Sequence, residues 1–315
     1  MRSTYLMLRN VAVAVGLCFP LSAAVTYSYD AAGRLVSVTY SNGSTISYLY
    51  DKAGNILSRS LSAASGALIN SVTVANGGAD IAQNTWIVIK GTNLVPSNTP
   101  ASGVIWSNAP DFAQGKLPIQ LGGVSVMVNG KSAFIYFYCS AVTSTVCTTD
   151  QINVLTPLDS TLGPVQIVVT SGSTSSPPFT SNMKAIAPAF LLFNAAGYTA
   201  ATHANGSLLG PTSLYPGLST PAAPNEVIVA YGVGFGLPTT AIVNGSSTQS
   251  GPLPTNPVCQ IGGNNAAVSF AGLISPGLYQ INLTVPASAK NGDNALSCSY
   301  SGSTTPSGAL ITVQQ

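Results

Sequence analysis

Residues 82–94, AQNTWIVIKGTNL, decide the fold class of this chain. The strand-forming run from Trp86 to Ile89 lies between one turn signal, Asn-Thr, and another, Gly-Thr-Asn. Short apolar runs with such borders are typical of strands rather than helices. The same pattern returns at residues 223–235, APNEVIVAYGVGF, at an offset of 141 positions. The two stretches therefore predict equivalent strands in two copies of one domain.

Two further matches follow in the same order along the chain. Residues 128–134, VNGKSAF, correspond to residues 261–267, IGGNNAA, and residues 150–154, DQINV, correspond to residues 279–283, YQINL. After the last match each copy reaches a proline, Pro157 or Pro286. Proline ends a strand because it has no N–H to donate to the ladder. The shared order predicts a tandem duplication.

The remaining pattern of both copies is also that of short strands. Apolar runs of strand length recur between Gly, Pro, Asn and Ser, and a helical period of 3.6 residues is nowhere sustained. In the first copy the further predicted strands are Val124 to Val128, Ala133 to Phe137, Ile152 to Leu155 and Val165 to Thr170. We predict an all-β chain whose two copies each form an antiparallel β-sandwich.

A shorter repeat precedes these two copies. Residues 27–35, YSYDAAGRL, return as residues 48–56, YLYDKAGNI, with alternating strand residues and the hairpin signal Asn42-Gly43 between them. The motif resembles the YD repeat of RHS-type proteins, whose repeats build β-hairpin shells. The two motif copies make up fewer than two complete repeat units, whereas repeat architectures need three or more to bury a continuous core. We therefore expect a hairpin and not a shell, and we expect Asp30 and Asp51 to stabilise turns.

The two sandwiches resemble immunoglobulin-like domains of the IPT/TIG type. The strand endings at residues 89–94 and 230–235, IKGTNL and AYGVGF, carry this resemblance. Together with residues 117–126, 150–153, 187–190 and 271–286, they also resemble the uncharacterised Solibacter-type C-terminal domain family of secreted bacterial proteins. The resemblance covers about residues 70 to 315 and implies fold and export, because no activity is assigned to that family. The chain departs from it in the insertion between Cys139 and Cys147.

These patterns divide the chain into five predicted segments. They are a signal peptide at 1–24, a YD-repeat hairpin at 25–57, a linker at 58–68, a first Ig-like β-sandwich at 69–190 and a second at 191–315.

Composition and the N-terminus point to export. Arg2 and Arg9 flank the start of an apolar run, Val11 to Leu21, that precedes Ser-Ala-Ala, the order of a cleaved signal peptide. Lipoprotein attachment at Cys18 is the alternative, disfavoured by Leu17. No later segment approaches transmembrane length. Cleavage would remove Arg2 and Arg9, so the mature chain would have 8 Lys and Arg against 8 Asp and Glu, a formal net charge of zero.

This neutral balance excludes an electrostatic nucleic-acid surface. It also gives little protection against association, so self-association is among the predicted interactions. We expect the protein to be secreted or exposed at the cell surface.

Four cysteines remain after Cys18 is removed with the signal peptide. Cys139, Cys147, Cys259 and Cys298 are an even number for an oxidising compartment, and they allow three pairings. The short separation favours Cys139 with Cys147, and Cys259 then pairs with Cys298 inside the second copy. Zinc binding is disfavoured because there is no Cys-x-x-Cys pair and His203 is the only histidine.

The residues able to move protons are few. Only 6% of the residues are charged, and no carboxylate pair has the local context of a glycosidase. His203 lies in ATHANGS, a turn-like stretch, and the chain has no Gly-x-Ser-x-Gly elbow. Asn291 to Asn294 offer one carboxylate, too few for calcium. We therefore predict no enzyme activity, no metal and no cofactor.

Aromatic and amide side chains are the remaining candidates for ligand contact. Two amide pairs stand at alternating strand positions, where they either contact a ligand or, as we favour, satisfy neighbouring loop backbone. Rings in a Pro/Ser/Asn-rich loop and beside the cysteine insertion either stack on a partner or belong to the core. These candidates are Trp106, Phe112, Tyr138, Gln151, Asn153, Gln280 and Asn282.

The predicted function is non-enzymatic binding or adhesion, or a structural role, with a polysaccharide or protein partner. The alternatives are a component or remnant of an RHS-type toxin or delivery system, and an accessory binding module of a secreted hydrolase.

Overall fold

The computed structural model describes residues 25–40, 44–62, 66–74, 78–107 and 109–315. The predicted signal peptide and the Asn42-Gly43 turn lie outside these residues. The chain divides into two compact units, Met1–Ala63 and Ala64–Gln315. Among the described residues, no helix has the length and apolar character needed to cross a membrane.

The first unit holds one antiparallel sheet with strands in chain order. Its strands are β1 (Thr26–Tyr29), β2 (Leu35–Thr39), β3 (Thr45–Tyr50) and β4 (Ile56–Ser62). The Asp of each YD motif closes the turn that follows it. The Asp30 carboxylate accepts hydrogen bonds from the Ala32 and Arg34 backbone N–H groups, and the Asp51 carboxylate accepts them from the backbone and side chain of Asn55. These bonds lower the pKa of both carboxyl groups.

The structure corrects the predicted linker at 58–68. Residues 56–62 form β4, which pairs with β3, and β5 already begins at Leu68. The Ser- and Ala-rich composition suggested a linker, but Leu57, Arg59 and Leu61 alternate with serines at the period of a strand. The YD segment is therefore a four-stranded sheet that extends past residue 57.

The second unit begins with a two-layer sandwich. One sheet has the order β5 (Leu68–Val74), β7 (Trp86–Thr92), β13 (Asp150–Leu155), β12 (Phe134–Cys139), β8 (Val104–Ile105). The other has the order β11 (Lys131–Ser132), β10 (Val124–Val128), β14 (Gly163–Ser171), β16 (Phe179–Lys184), β6 (Asp80–Ala82), with β9 (Gln120–Leu121) beside β10 and β15 (Thr174–Ser175) beside β14. Buried side chains of both sheets, including Ile89, Val126 and Ile167, form one core.

A second sandwich follows from Ala189. Its larger sheet has the order β20 (Ser219–Thr220), β19 (Leu208–Leu209), β18 (Ala201–His203), β21 (Val227–Val233), β26 (Leu278–Thr284), β25 (Val268–Ser275), β22 (Gly251–Pro252), with β17 (Ala189–Phe190) beside β21. Its smaller sheet has the order β24 (Asn264–Ala266), β23 (Val258–Ile261), β27 (Gly292–Tyr300), β28 (Ser303–Thr304), with β29 (Leu310–Val313) beside β27. Because β17 pairs with β21, the second sandwich starts two residues before the predicted limit at 191.

Both sandwiches are immunoglobulin-like. The orders β5-β7-β13-β12 and β18-β21-β26-β25 correspond to the A-B-E-D sheet, and β10-β14-β16 and β23-β27-β29 correspond to C-F-G. A parallel pairing joins β6 to β16, and a parallel bridge joins Ala222 to Val313 at the equivalent place. The three sequence matches fall on equivalent strands, since β7 corresponds to β21, the β10–β11 hairpin to β23–β24, and β13 to β26. The predicted duplication and fold class agree with the structure.

Both predicted disulfides are present. Cys139 bonds to Cys147 across the insertion loop, with a Cα–Cα distance of 6.4 Å. Cys259 bonds to Cys298 on the neighbouring strand, with a Cα–Cα distance of 4.0 Å. The second bond joins β23 to β27 at directly opposed positions.

Candidate functional site: an aromatic cavity between the sandwiches

A cavity of about 420 Å³ lies between the two sandwiches, and we call it the aromatic cavity. The first sandwich lines it with Trp86, Ile87, Val88, Trp106, Phe112, Leu117, Tyr136 and Asn153. The second lines it with Leu191, Ser247, Ser275, Pro276 and Leu278. The volume is near the lower end of the roughly 300–1,000 Å³ typical of small-molecule sites.

Four aromatic rings of the first sandwich form one wall. Trp106 is central, because its ring centroid lies 5.6 Å from that of Trp86, 5.0 Å from Tyr136 and 5.3 Å from Phe112. All three pairs are edge-to-face, the arrangement that the ring quadrupoles favour. Phe112 lies on a short 3-10 helix, Pro110–Gln114.

The alternation of side chains along β7 and β13 explains why Trp86, Val88 and Asn153 face the cavity and not the core. In β7 the residues Ile87 and Ile89 are fully buried, so Trp86 and Val88 lie on the opposite face of the sheet. Asn153 lies on the same face of β13, directly opposite Val88. The outer face of this sheet thus becomes the floor of the cavity.

The second sandwich closes the cavity with a turn and a loop. The indole Nε1 of Trp86 donates a hydrogen bond to the Pro276 carbonyl at 2.8 Å. The Gly277 that follows has a φ of +67°, and a Cβ there would overlap Leu155 and come within 2.9 Å of the Trp86 indole nitrogen. Glycine is therefore required where the β25–β26 turn packs on the first sandwich.

The loop contact is made by backbone groups. The Leu117 N–H donates to the Gly245 carbonyl and the Ser247 N–H donates to the Gly115 carbonyl, each at 2.8 Å. A Cβ on Gly245 would overlap the Phe134 ring. The two sandwiches therefore meet through short-range packing and hydrogen bonds around the cavity.

The amide pairs differ in position although their geometry is the same. Gln151 Nε2 donates to Asn153 Oδ1 at 2.9 Å, and Gln280 Nε2 donates to Asn282 Oδ1 at 2.9 Å. Each amide pair is thus joined internally and not, as favoured from the sequence, to neighbouring loop backbone. Only Asn153 of the four lines the aromatic cavity.

The three aromatic candidates from the sequence lie in two different environments. Trp106 and Phe112 line the cavity. Tyr138 was a candidate for ligand contact or for the core, and the structure favours the core: its side chain is 3% exposed and belongs to the first core, where burial raises its pKa. A bulge between Ile135 and Phe137 shifts the alternation of β12 and turns Tyr138 inward.

Sequence reasoning missed Trp86 and Tyr136 as cavity residues. The sequence predicts only that Trp86 lies in a strand. Because side chains alternate along a strand and Ile87 and Ile89 are apolar, the pattern also indicates that Trp86 lies on the face opposite the core. For Tyr136 the bulge in β12 removes any such signal.

His203 forms a polar cluster away from this cavity. It was expected at the surface or in a turn, and it is the last residue of strand β18, where its carbonyl accepts a hydrogen bond from the Gly206 N–H of the following turn. Its Nδ1 is 2.5 Å from Glu226 Oε1. Its Nε2 is 3.0 Å from the Thr220 hydroxyl and 3.1 Å from the Thr220 carbonyl. None of His203, Glu226 and Thr220 lines the aromatic cavity. Within the described ranges, no group of three or more His, Cys, Asp or Glu could hold a metal ion.

One family model matches the N-terminal part of the chain. Residues 20–45 and 29–67 match the RHS Repeat, so the chain carries an RHS repeat in its N-terminal unit. No curated protein matches the chain. The resemblance of the sandwiches to the Solibacter-type family stays a prediction.

Several solved structures show weak likeness. The Bacteroides ovatus mixed-linkage glucan utilization locus protein SGBP-B, in complex with a mixed-linkage heptasaccharide, is 13% identical with a TM-score of 0.34, and the match covers 92% of this chain and 60% of that one. The Escherichia coli adhesin FdeC is 9% identical with a TM-score of 0.25, covering 88% and 76%. The Yersinia pseudotuberculosis adhesin InvE is 10% identical with a TM-score of 0.21, covering 78% and 59%. The chain thus spans about 60% of the first of these proteins.

Proposed function

We propose that this chain is an exported, non-enzymatic binding protein that recognises a polysaccharide or protein partner through the aromatic cavity. The observation that carries the proposal is the wall of four aromatic rings. It lines a cavity between the two sandwiches whose volume is in the range of ligand sites. Aromatic side chains supply most of the binding energy in many recognition sites because they bury large areas at small entropic cost.

The chemistry of the chain supports binding rather than catalysis. The histidine cluster lies outside the cavity, and the part of the lining that the structure describes contains no Asp, Glu, His or Cys. Of the groups used in nucleophilic and general acid–base catalysis, the lining holds the hydroxyls of Ser247, Ser275 and Tyr136, and a serine nucleophile needs an adjacent base to activate it. The two disulfides fit an oxidising compartment, which supports export to the surface or the medium.

A pull-down with purified protein tests this proposal. Immobilised wild-type protein is incubated with cell-wall, polysaccharide and surface-protein fractions, in parallel with Trp106→Ala. Phe193→Ala is the matched control, because Phe193 forms an edge-to-face pair with Tyr215 at 5.5 Å outside the cavity. We expect saturable binding by wild type and Phe193→Ala and loss in Trp106→Ala. Absence of saturable binding by wild type to every fraction contradicts the proposal.

The RHS match supports a second candidate. Residues 20–67 carry the family match, so a role in an RHS-type delivery system accounts for the N-terminal unit. A neighbouring gene for a large YD-repeat or secretion protein would favour this role, and a neighbouring hydrolase gene would favour an accessory binding module.

A further inference from the structure

We propose that the aromatic cavity binds a sugar ring of an uncharged glycan, with Asn153 as its polar anchor. This inference rests on the proposed binding function and narrows its partner to one class. Three properties of the lining carry it: its lack of charge, its aromatic wall and its unpaired hydrogen-bond donors.

Among the described residues, the lining of the cavity contains no Lys, Arg, His, Asp or Glu. A sulfated, phosphorylated or uronic-acid ligand would lose its hydration there without gaining an opposite charge, and burial of an unpaired charge is costly. The lining therefore selects against charged ligands.

The aromatic wall fits the apolar face of a sugar ring. A pyranose presents C–H groups on its faces and hydroxyl groups around its edge. The four clustered rings offer a continuous apolar surface for such a face, and the volume of about 420 Å³ limits the ligand to a small part of a chain. Phe112 is part of this wall and belongs to a short 3-10 helix.

The donors of the lining distinguish a sugar from a lipid. Among the described residues, Trp106 Nε1, the Tyr136 hydroxyl and Asn153 Nδ2 have no hydrogen-bond partner, whereas Trp86 Nε1 is paired with Pro276. A purely apolar ligand would bury these donors unsatisfied, at a cost of about 1–3 kcal/mol each. Hydroxyl and ring oxygens of a glycan would accept from them.

Asn153 is held in a fixed orientation. Its Oδ1 accepts the hydrogen bond from Gln151 Nε2, which leaves Nδ2 as the free donor. Its strand β13 lies between β7 and β12, which carry Trp86 and Tyr136. Asn153 lies opposite Val88, two positions along β7 from Trp86, so the amide lies beside the aromatic wall, in which the Trp86 and Tyr136 rings contact each other at 5.7 Å. Asn282 has the same pairing with Gln280 in the second sandwich but does not line the cavity, so it is a matched control.

The experiment is titration calorimetry with defined polysaccharide probes. Neutral probes are soluble starch, laminarin, xylan and galactomannan, and anionic probes are alginate and polygalacturonate. Wild type is compared with Trp106→Ala, Asn153→Ala and Asn282→Ala, and circular dichroism establishes that each variant is folded.

We expect saturable binding of at least one neutral probe and none of the anionic probes. Asn153→Ala should weaken binding roughly 3- to 10-fold, the effect of one hydrogen bond, and Trp106→Ala should weaken it more than about 30-fold. Asn282→Ala should leave the affinity unchanged.

Each other outcome overturns the inference. Anionic probes that bind as tightly as neutral ones contradict the charge argument, and equal effects of Asn153→Ala and Asn282→Ala contradict the anchor. If no neutral probe binds, the inference fails, while saturable capture of a protein fraction in the pull-down would leave the broader binding function standing.

Discussion

Removing the Cys259–Cys298 disulfide should destabilise the protein more than removing the Cys139–Cys147 disulfide. A disulfide acts mainly by restricting the unfolded chain, and this effect grows with the length of the closed loop. The two bonds span 39 and 8 residues. The chain-entropy relation then gives about 4 kcal/mol for the first and about 2.5 kcal/mol for the second.

Burial increases the expected difference. Cys259 and Cys298 are both buried in the second core, whereas Cys147 is half-buried in the insertion loop. Alanine in place of each cysteine avoids an unsatisfied hydroxyl. It leaves voids at two buried positions of the second sandwich, Cys259 and Cys298, but at only one of the first, Cys139.

The assay is guanidinium unfolding of the paired variants Cys259→Ala/Cys298→Ala and Cys139→Ala/Cys147→Ala. Circular dichroism follows the whole chain. Tryptophan fluorescence follows the first sandwich, because both tryptophans, Trp86 and Trp106, belong to it. If loss of the 39-residue bond lowers the free energy of unfolding no more than loss of the 8-residue bond does, loop length does not determine the stabilisation by these two disulfides.

Two further predictions concern packing and pH. Gly277→Ala should lower the free energy of unfolding by about 2–4 kcal/mol, through backbone strain and overlap of the new Cβ with Trp86 and Leu155. Gly130→Ala is the control, because Gly130 has a φ of +73° but open space for a Cβ, so this variant should show the effect of backbone strain alone. Equal shifts of the two variants in thermal unfolding would contradict the packing role of Gly277. Burial alone raises the pKa of Asp159, but hydrogen bonds from Asn129, Thr161 and Lys131 outweigh it and hold the pKa well below 3.8. Its contribution to stability is thus complete above pH 3.8 and is lost as the pH falls through the lower folded-state value. Asp159→Asn should therefore destabilise most at neutral pH, and unfolding at pH 7 and pH 2.5 that gives the same difference from wild type would rule this out.

The fold was largely readable because local signals agreed with it. The alternation in β10 and β14 gives strands at the expected places, and Asn129-Gly130 adopts the positive φ angles of 50° and 73° that its hairpin turn needs. The disulfide pairing followed from separation alone. In contrast, the bulge in β12 changed which face Tyr138 occupies, an effect that a period of two cannot anticipate.

The cavity could be foreseen only in part. Trp106, Phe112 and Asn153 were candidates, but the groups that close the site come from distant parts of the chain. Trp86 and Pro276, which are hydrogen-bonded, lie 190 positions apart. The packing of one sandwich on the other decides this contact, and no local pattern contains it.

Tryptophan emission during titration with a neutral polysaccharide tests whether the ligand binds in the aromatic cavity. The chain has two tryptophans and both line the aromatic cavity, so their emission reports on that site alone. We predict a saturable change in emission whose midpoint equals that of the calorimetric titration and which Asn282→Ala retains. Saturable calorimetric binding with unchanged tryptophan emission would place the ligand elsewhere and contradict binding in the aromatic cavity.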